Sequence, residues 1–393
     1  MQSKRHRVQE LLRERHIDGA ILSSPENFHY ATGAASHQHT VSRQPTMASV
    51  VLSTRAEEEP FVVCMDFEHP TMLEKLEGIR AVPYSSWVGV REYGEIVSRA
   101  ERLDRDTTFV TFFDALARCV RDIGVSDGTI GIELDFVPEP FFRKLVDLFP
   151  KARFVDVSPL LILARSVKTA EEIVTFRTLT EVMDRALLRA SEAVRVGATE
   201  RDVAQVFREN VMASGVCAPS SWSMFTTGAN ASMLRAGGER RIADGDVFKF
   251  DGGVNAEFDF YTTDTSRSWI VGDADPELVA LKDRLCEAQR RMIAAAVPGM
   301  PISELFRTGF DHVRAEYDCY RRGHLGHSIS MGPQTAEAPF ITATETRPLE
   351  PGMILCVEVP CYIEGTAGFN IEDMILITDT GCEVLTHRTP HYL

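Results

Sequence analysis

The sequence is short of the features that would tie it to nucleic acid, a membrane or an oxidising compartment. Positive charge is in deficit: 42 Lys and Arg stand against 57 Asp and Glu, a formal net charge of -15. No local run of Lys or Arg reverses that balance. Phosphate backbones are bound through basic surfaces, so no nucleic-acid partner is expected. No apolar run approaches the roughly 20 residues of a membrane span. The N-terminus, Met1-Gln-Ser-Lys-Arg-His-Arg, passes directly into an amphipathic pattern carried by Val8, Leu11 and Leu12, without the apolar core of a signal peptide. No membrane is therefore expected as a partner either. Cysteine pairs of the CxxC kind are missing too. The eight cysteines are scattered, most of them in apolar runs, which suits buried, reduced thiols in a cytoplasmic protein. A glycine-rich phosphate loop is also lacking in the first part of the chain, where Gly19 and Gly33 are isolated turn glycines.

The chain does contain room for two domains, with 393 residues of which 44% are hydrophobic. Residues 1–163 alternate helix and strand signals. Helices are expected at about 3–15, from Pro25, at about 106–122 and near 138–148; strands are expected at Asp18–Ser24, Ala48–Ser53, Pro60–Cys64, Val82–Tyr84, Gly128–Leu134 and Phe154–Val157. That alternation predicts an α/β domain. Between two of these elements, Ser36–Pro45 reads as a long polar loop carrying His37, His39 and Arg43. It is either plain surface or a loop that reaches an active site.

The character changes near residue 163, and residues 164–393 form the second expected domain. Thr169 with Glu172 three residues on is a capping box for a helix of about 170–195. Further helices are expected at about 199–214, 275–296 and 302–316, and the last 70 or so residues are strand-rich. The prediction is an α+β domain with long helices on an antiparallel sheet.

Two hairpins in this domain carry carboxylates where apolar residues are expected. In Phe248–Arg267, Gly252-Gly253-Val254-Asn255 breaks the first strand, and the aromatic run Phe258, Phe260, Tyr261 suggests the second. Asp251 and Asp264 sit 13 residues apart across that turn. Glu358 in Met353–Pro360 and Glu372 in Phe369–Ile377 sit 14 apart across another. Between the hairpins, His327 lies in Gly323-His-Leu-Gly-His-Ser. A carboxylate in an apolar strand is costly unless neutralised. Two divalent cations would balance four of them, and oxygen-rich ligation with one imidazole suits Mn, Co, Fe or Zn.

This set resembles the pita-bread superfamily of creatinase, prolidase, aminopeptidase P and methionine aminopeptidase. The resemblance rests on Phe250-Asp251-Gly-Gly, Tyr261-Thr-Thr-Asp264-Thr-Ser-Arg267, Gly326-His327, Leu349-Glu-Pro-Gly-Met353, Val357-Glu358-Val-Pro and Asn370-Ile-Glu372-Asp-Met. The linker Arg165-Ser-Val-Lys168-Thr-Ala-Glu-Glu-Ile173 resembles the two-domain branch. The resemblance implies an N-terminal creatinase-like domain, a pita-bread catalytic domain and a homodimer in which the 36–45 loop of one subunit nears the other's metal site. It also implies that Asp251 chelates one metal, His327 and Glu358 hold the other, and Asp264 and Glu372 bridge the two. A hydroxide between the metals would be the nucleophile, and Glu358 would carry its proton to the leaving group.

Against the peptidases of that superfamily the sequence departs at the histidines that handle substrate. Met233-Leu234-Arg235 stands where the family places one. Gly323 stands where another is common, with His324 one place along as the catalytic candidate. The stretch Thr335-Ala336-Glu337-Ala-Pro339 lacks a third. The expectation is a dinuclear-metal hydrolase that cleaves a C–N bond in a small carboxylate-bearing substrate, with Arg235 and Arg43 as candidates for the carboxylate. The alternatives are an Xaa-Pro dipeptidase or aminopeptidase, a metal-dependent lyase such as a dimethylsulfoniopropionate lyase, and a non-catalytic binding module. Arg267 reads as a brace for the first hairpin. Whether Asp259 joins the metal shell is open from the sequence.

Overall fold

The computed structural model describes residues 4–55, 58–88, 93–98, 109–257, 259–332 and 336–392. Phe258, Thr335 and the first residues of the 106–122 helix fall outside that range. The chain divides into two compact units, 1–164 and 165–393.

The first unit is built on a mixed six-stranded sheet in the order Arg80–Tyr84, Phe61–Met65, Ser49–Ser53, Gly19–Leu22, Thr129–Ile132, Arg153–Asp156. Its central strands read GAIL, SVVLS and FVVCM, continuous apolar runs that are buried throughout. That is the pattern of strands covered on both faces. One cover is the helix Phe112–Asp122, which packs Phe112, Leu116 and Val120 into the core. It is started by a Thr111–Asp114 capping box.

The polar stretch after Ser36 folds instead of looping. His37–Ser42 is a short helix, capped by the Ser36 side chain and closed by Arg43 in the left-handed region at φ 51°. His39 points inward, its Nε2 2.7 Å from the Ser23 carbonyl and its ring edge-on to Phe28. Burial pushes its pKa down to about 4, so it packs as a neutral core residue. Arg43 forks onto the Glu26 carboxylate at 2.6 and 3.1 Å.

The second unit centres on an antiparallel sheet. Its order is Glu337–Phe340, Gly326–Ser328, Ile354–Glu358, Glu372–Ile377, Thr265–Ile270, Val247–Gly252, Met224–Thr227, with Cys382–Val384 added beside Glu372–Ile377. Helices Ala170–Ser191, Glu200–Met212, Pro276–Ala295 and Ile302–Arg314 supply its cover. Phe207 packs on Phe225 and Phe250, while Leu285 and Leu305 join a core with Leu355, Val357 and Ile375. Strand side chains alternate between faces. The helices therefore cover the face of Phe250, Val357 and Ile375, and the residues between these point the other way.

One expected strand is displaced. The aromatic run is not the second strand of the first hairpin; that strand is Thr265–Ile270. Phe260 has φ 62°, a left-handed conformation that breaks extended structure. Tyr261 makes only an isolated bridge, to Met331. Its hydroxyl donates to Glu172 Oε1 at 3.0 Å, so the capping-box glutamate also holds this turn in place.

Candidate metal centre

Register places the carboxylates. Glu358 lies directly opposite Glu372, Ser266 opposite Glu372, and Asp251 opposite Ser266. These four residues form a row across four strands, and residues in one row share a face. Asp264 is two residues before Ser266, and Cys356, opposite His327, is two before Glu358. The two-residue period puts both on that same face.

Donor atoms of Asp264, His327, Cys356 and Glu372 all lie within 4.8 Å of one another. His327 Nε2 is 3.7 Å from Asp264 Oδ2 and 3.9 Å from Glu372 Oε1. Asp251 and Glu358 extend the row, and none of Asp251, Asp264, His327, Glu358 and Glu372 is more than 8% exposed. Water therefore does not neutralise them.

The electrostatics follow from that crowding. Burial, then the neighbouring Asp264, Glu358 and Asp251, push Glu372 well above the ordinary carboxylate range. Burial also pushes Asp251 up to about 6, partly offset by Lys249. Glu358 goes the other way. Burial raises it, but His324, His327 and Arg322 together outweigh that and leave it below its usual value. His324 Nδ1 stands 3.2 Å from Glu358 Oε1, and an Arg322 Nη stands 3.6 Å from the same oxygen.

His327 fixes what the cluster can hold. Its Nδ1 is 3.0 Å from the Ser328 carbonyl, which can only accept, so Nδ1 carries the proton and Nε2 presents a lone pair. Burial lowers its pKa and favours this neutral form. A lone pair aimed at two carboxylates is repulsive unless a proton or a metal cation lies among them. Metal–donor bonds of about 2.0–2.2 Å place two donors of one ion up to about 4.4 Å apart, and the Nε2 separations fall inside that limit. The donor set fits a divalent metal. A histidine oriented by a backbone carbonyl is the usual support for a ligand.

Cys356 was missed as a candidate from the sequence, although its place two residues before Glu358 in an apolar strand was a readable signal. Burial raises its pKa far above the ordinary thiol value. It stays a neutral thiol beside the carboxylates, its Sγ 3.9 Å from the Asp264 carbonyl oxygen. Arg235 is exposed and donates to Asn230 Oδ1 at 3.3 Å. Asp259 is exposed and is not among the residues of the donor cluster. Arg267 is buried on the opposite, helix-covered face, where it donates to Asp373 Oδ1 at 2.7 Å and to the carbonyls of Glu372, Thr386 and Thr389. Among the described residues no helix is long and apolar enough to cross a membrane.

Comparison with known proteins agrees with this architecture. An uncharacterised peptidase of Staphylococcus aureus is 26% identical over 392 residues, covering 98% of this chain and 99% of that one. An Xaa-Pro dipeptidase from Bacillus anthracis superposes with a TM-score of 0.81 at 22% identity, covering 99% of both chains. A dipeptidase from Pyrococcus horikoshii superposes with a TM-score of 0.80 at 22% identity, covering 99% of this chain and 100% of that one. The creatinase/prolidase N-terminal domain matches residues 4–167, and metallopeptidase family M24 matches residues 175–379. The chain belongs to metallopeptidase family M24, as a two-domain, metal-dependent hydrolase with a creatinase/prolidase N-terminal domain.

Proposed function

We propose that the protein hydrolyses a C–N bond in a small carboxylate-bearing substrate at a dinuclear centre held by Asp251, Asp264, His327, Glu358 and Glu372. The observation that carries this reading is the His327 Nε2 lone pair, directed at Asp264 and Glu372 from 3.7 and 3.9 Å in a buried pocket of carboxylates. Two divalent ions (Mn, Co, Fe or Zn) held by these residues would supply Lewis acidity and the means to activate a water near neutral pH. The protein's own part is proton handling and exclusion of bulk water. Glu358, kept ionised by His324 and Arg322, accepts a proton and passes it to the leaving nitrogen. His324, 3.2 Å from Glu358 and partly exposed, orients that carboxylate for the transfer.

A second reading, cleavage of dipeptides ending in proline, is favoured by the whole-length likeness to the Xaa-Pro dipeptidase from Bacillus anthracis. Both readings are tested by metal analysis followed by an activity screen of the Mn-, Co-, Fe- and Zn-loaded protein. The panel would contain Xaa-Pro dipeptides, small amides, cyclic amidines and sulfonium compounds. The dinuclear reading expects close to two ions per chain, and fewer than one would end it. Turnover of small amides with little cleavage of Xaa-Pro supports the first reading, and brisk Xaa-Pro cleavage replaces it with the second.

A further inference from the structure

Phe340 ends the edge strand Glu337–Phe340, and two observations fix which way it points. The ladder continues through Ile341, which exchanges hydrogen bonds with Leu325 and Gly326. Ile341 is fully buried and packs with Leu355, Val357 and Ile375 in the helix-side core. Side chains alternate along extended chain, so Phe340 faces the other way, onto the side of the carboxylate row. Register agrees. Phe340 lies opposite His327 across the antiparallel pair, and residues so placed hold their β-carbons about 5 Å apart on one face. Yet Phe340 keeps 36% of its surface open, where His327, Glu358 and Glu372 keep 5%, 7% and 1%.

A single exposed apolar side chain on an outer surface needs no explanation. This one stands among the proposed ligands. Its ring meets the His324 ring with centroids 5.8 Å apart and planes at 62°. His324 is itself partly exposed, and its Nδ1 is 3.2 Å from Glu358 Oε1. Phe340 thus neighbours His327 directly and Glu358 through His324, and it is open to solvent where those two are not. A molecule that reaches the carboxylate row from this side passes over an aromatic ring.

The chemistry assigned to Glu358 says which part of the substrate arrives there. A nitrogen that takes a proton from Glu358 comes within about 2.6–3.2 Å of it. His324 stands at that carboxylate and Phe340 stands at His324. A substituent of about four to six carbons on the nitrogen, at roughly 1.5 Å per bond, spans the distance to the ring. The Arg322 guanidinium, 3.6 Å from the same Glu358 oxygen, makes this side unfavourable for a positively charged substituent. We propose that Phe340 is a specificity-determining residue: its ring is the apolar shelf for an uncharged alkyl or cycloalkyl substituent on the scissile nitrogen. This rests on the hydrolase reading above, and adds which half of the substrate is apolar.

The test uses the full chain loaded with Mn(II) and three amides that share one acyl half and its carboxylate: N-cyclohexyl-, N-methyl- and N-(2-aminoethyl)succinamate. KM and kcat are read where an amide is turned over, and Kd by calorimetry where it is not. Wild type should prefer the cyclohexyl amide to the methyl amide at least about tenfold, with the aminoethyl amide no better than the methyl. Phe340→Ala and Phe340→Thr, the second a good strand former, should each cut that preference to about twofold or less. The change should lie in KM, because the contact is made equally before and during reaction. Metal content is measured on each variant, and either variant that keeps its metal decides the matter. No cyclohexyl preference in wild type, or an undiminished one in such a variant, overturns the shelf. So does an affinity loss that is equal for all three amides, which a merely structural role would give. The two proposals fail separately. A Phe340-dependent preference in Kd without turnover of any amide would keep the shelf and remove the hydrolase reading. Turnover with a preference that residue 340 does not set would do the reverse.

Discussion

Glu372 and Asp373 are neighbours on one strand, both buried, and they have opposite fates. Glu372 faces Asp264, Glu358 and Asp251, and its pKa is driven up by burial and by those charges. Asp373 faces the helices and is well served. It accepts from Arg267 at 2.7 Å, Gln289 at 2.7 Å and Thr386 at 2.8 Å, with His391 Nε2 at 3.1 Å. Burial alone would raise its pKa, but Arg267, His391 and Gln289 overcome that and hold it far below the ordinary range. A single peptide step thus separates a carboxylate the protein has neutralised from one it has left for something else. The helix-covered face is saturated and holds the fold; the other face is under-compensated and is where a cation fits. Burial of charge alone does not mark a site, since both faces bury it. The missing counter-charge does.

The same carboxylate-to-amide change on each neighbour should move different observables, and this is the largest expected effect. Glu372→Gln should cost on the order of 10³-fold or more in activity, because the proposed centre loses one of its ligands. Metal per chain should fall, while the metal-free protein should be at least as stable as wild type, since the neutral amide sits among the other carboxylates without having to hold a proton. Asp373→Asn should leave metal content close to normal and lower unfolding stability by about 3–5 kcal/mol, because Arg267 then lies buried without its counter-ion. Urea unfolding and metal analysis on both variants decide it. A Glu372→Gln protein that kept its metal and activity would break the contrast.

The contrast also predicts opposed pH dependences. In the metal-free protein Asp251, pushed up to about 6 by burial, keeps a proton that the unfolded chain releases near pH 4. Its contribution is whole below the unfolded value and is lost as pH rises towards 6, a fall on the order of 3 kcal/mol. Asp373 is depressed in the folded state, so its contribution is present above the unfolded value and is lost as pH falls through the folded one. Chelated wild type should therefore lose stability relative to Asp251→Asn between about pH 4 and 6, and added Mn(II) should cancel that loss. A difference between the two proteins that stays flat across this range would show that Asp251 is already compensated.

Much of the architecture could be read in the sequence because its signals are local. Continuous apolar runs gave buried strands, Thr169 with Glu172 gave a helix start, and isolated carboxylates in apolar strands stood out. Facing was harder to read. Arg267 and Asp373 look as prominent in the sequence as Asp264 and Glu372, and only the two-residue period of paired strands sends them to opposite sides. The second strand of the first hairpin was placed too early because Phe260 and Tyr261 have high strand propensity. The left-handed backbone at Phe260 overrides that preference. Arg322 and His324 lie outside helix and strand, where no periodicity tells which side chains share a carboxylate. His39 looked like a loop residue because a six-residue helix held by one serine cap leaves almost no pattern.

The finest test of the saturated face is its redundancy. Gln289 reaches Asp373 from the helix Pro276–Ala295, one donor among several to the same carboxylate. Removing it with Gln289→Leu keeps Arg267, Thr386 and His391 in place and substitutes an apolar side chain of similar length in a buried position. A lost hydrogen bond to a charged group costs about 1.5–3 kcal/mol, and the remaining donors should hold the loss near the lower figure. Metal content and turnover should not change, because the Gln289 amide bonds Asp373, which faces away from the carboxylate row. A loss as large as that of Asp373→Asn would mean that the carboxylate depends on this one donor. Any drop in metal content would mean that the two faces of the strand are coupled through the shared Glu372–Asp373 peptide.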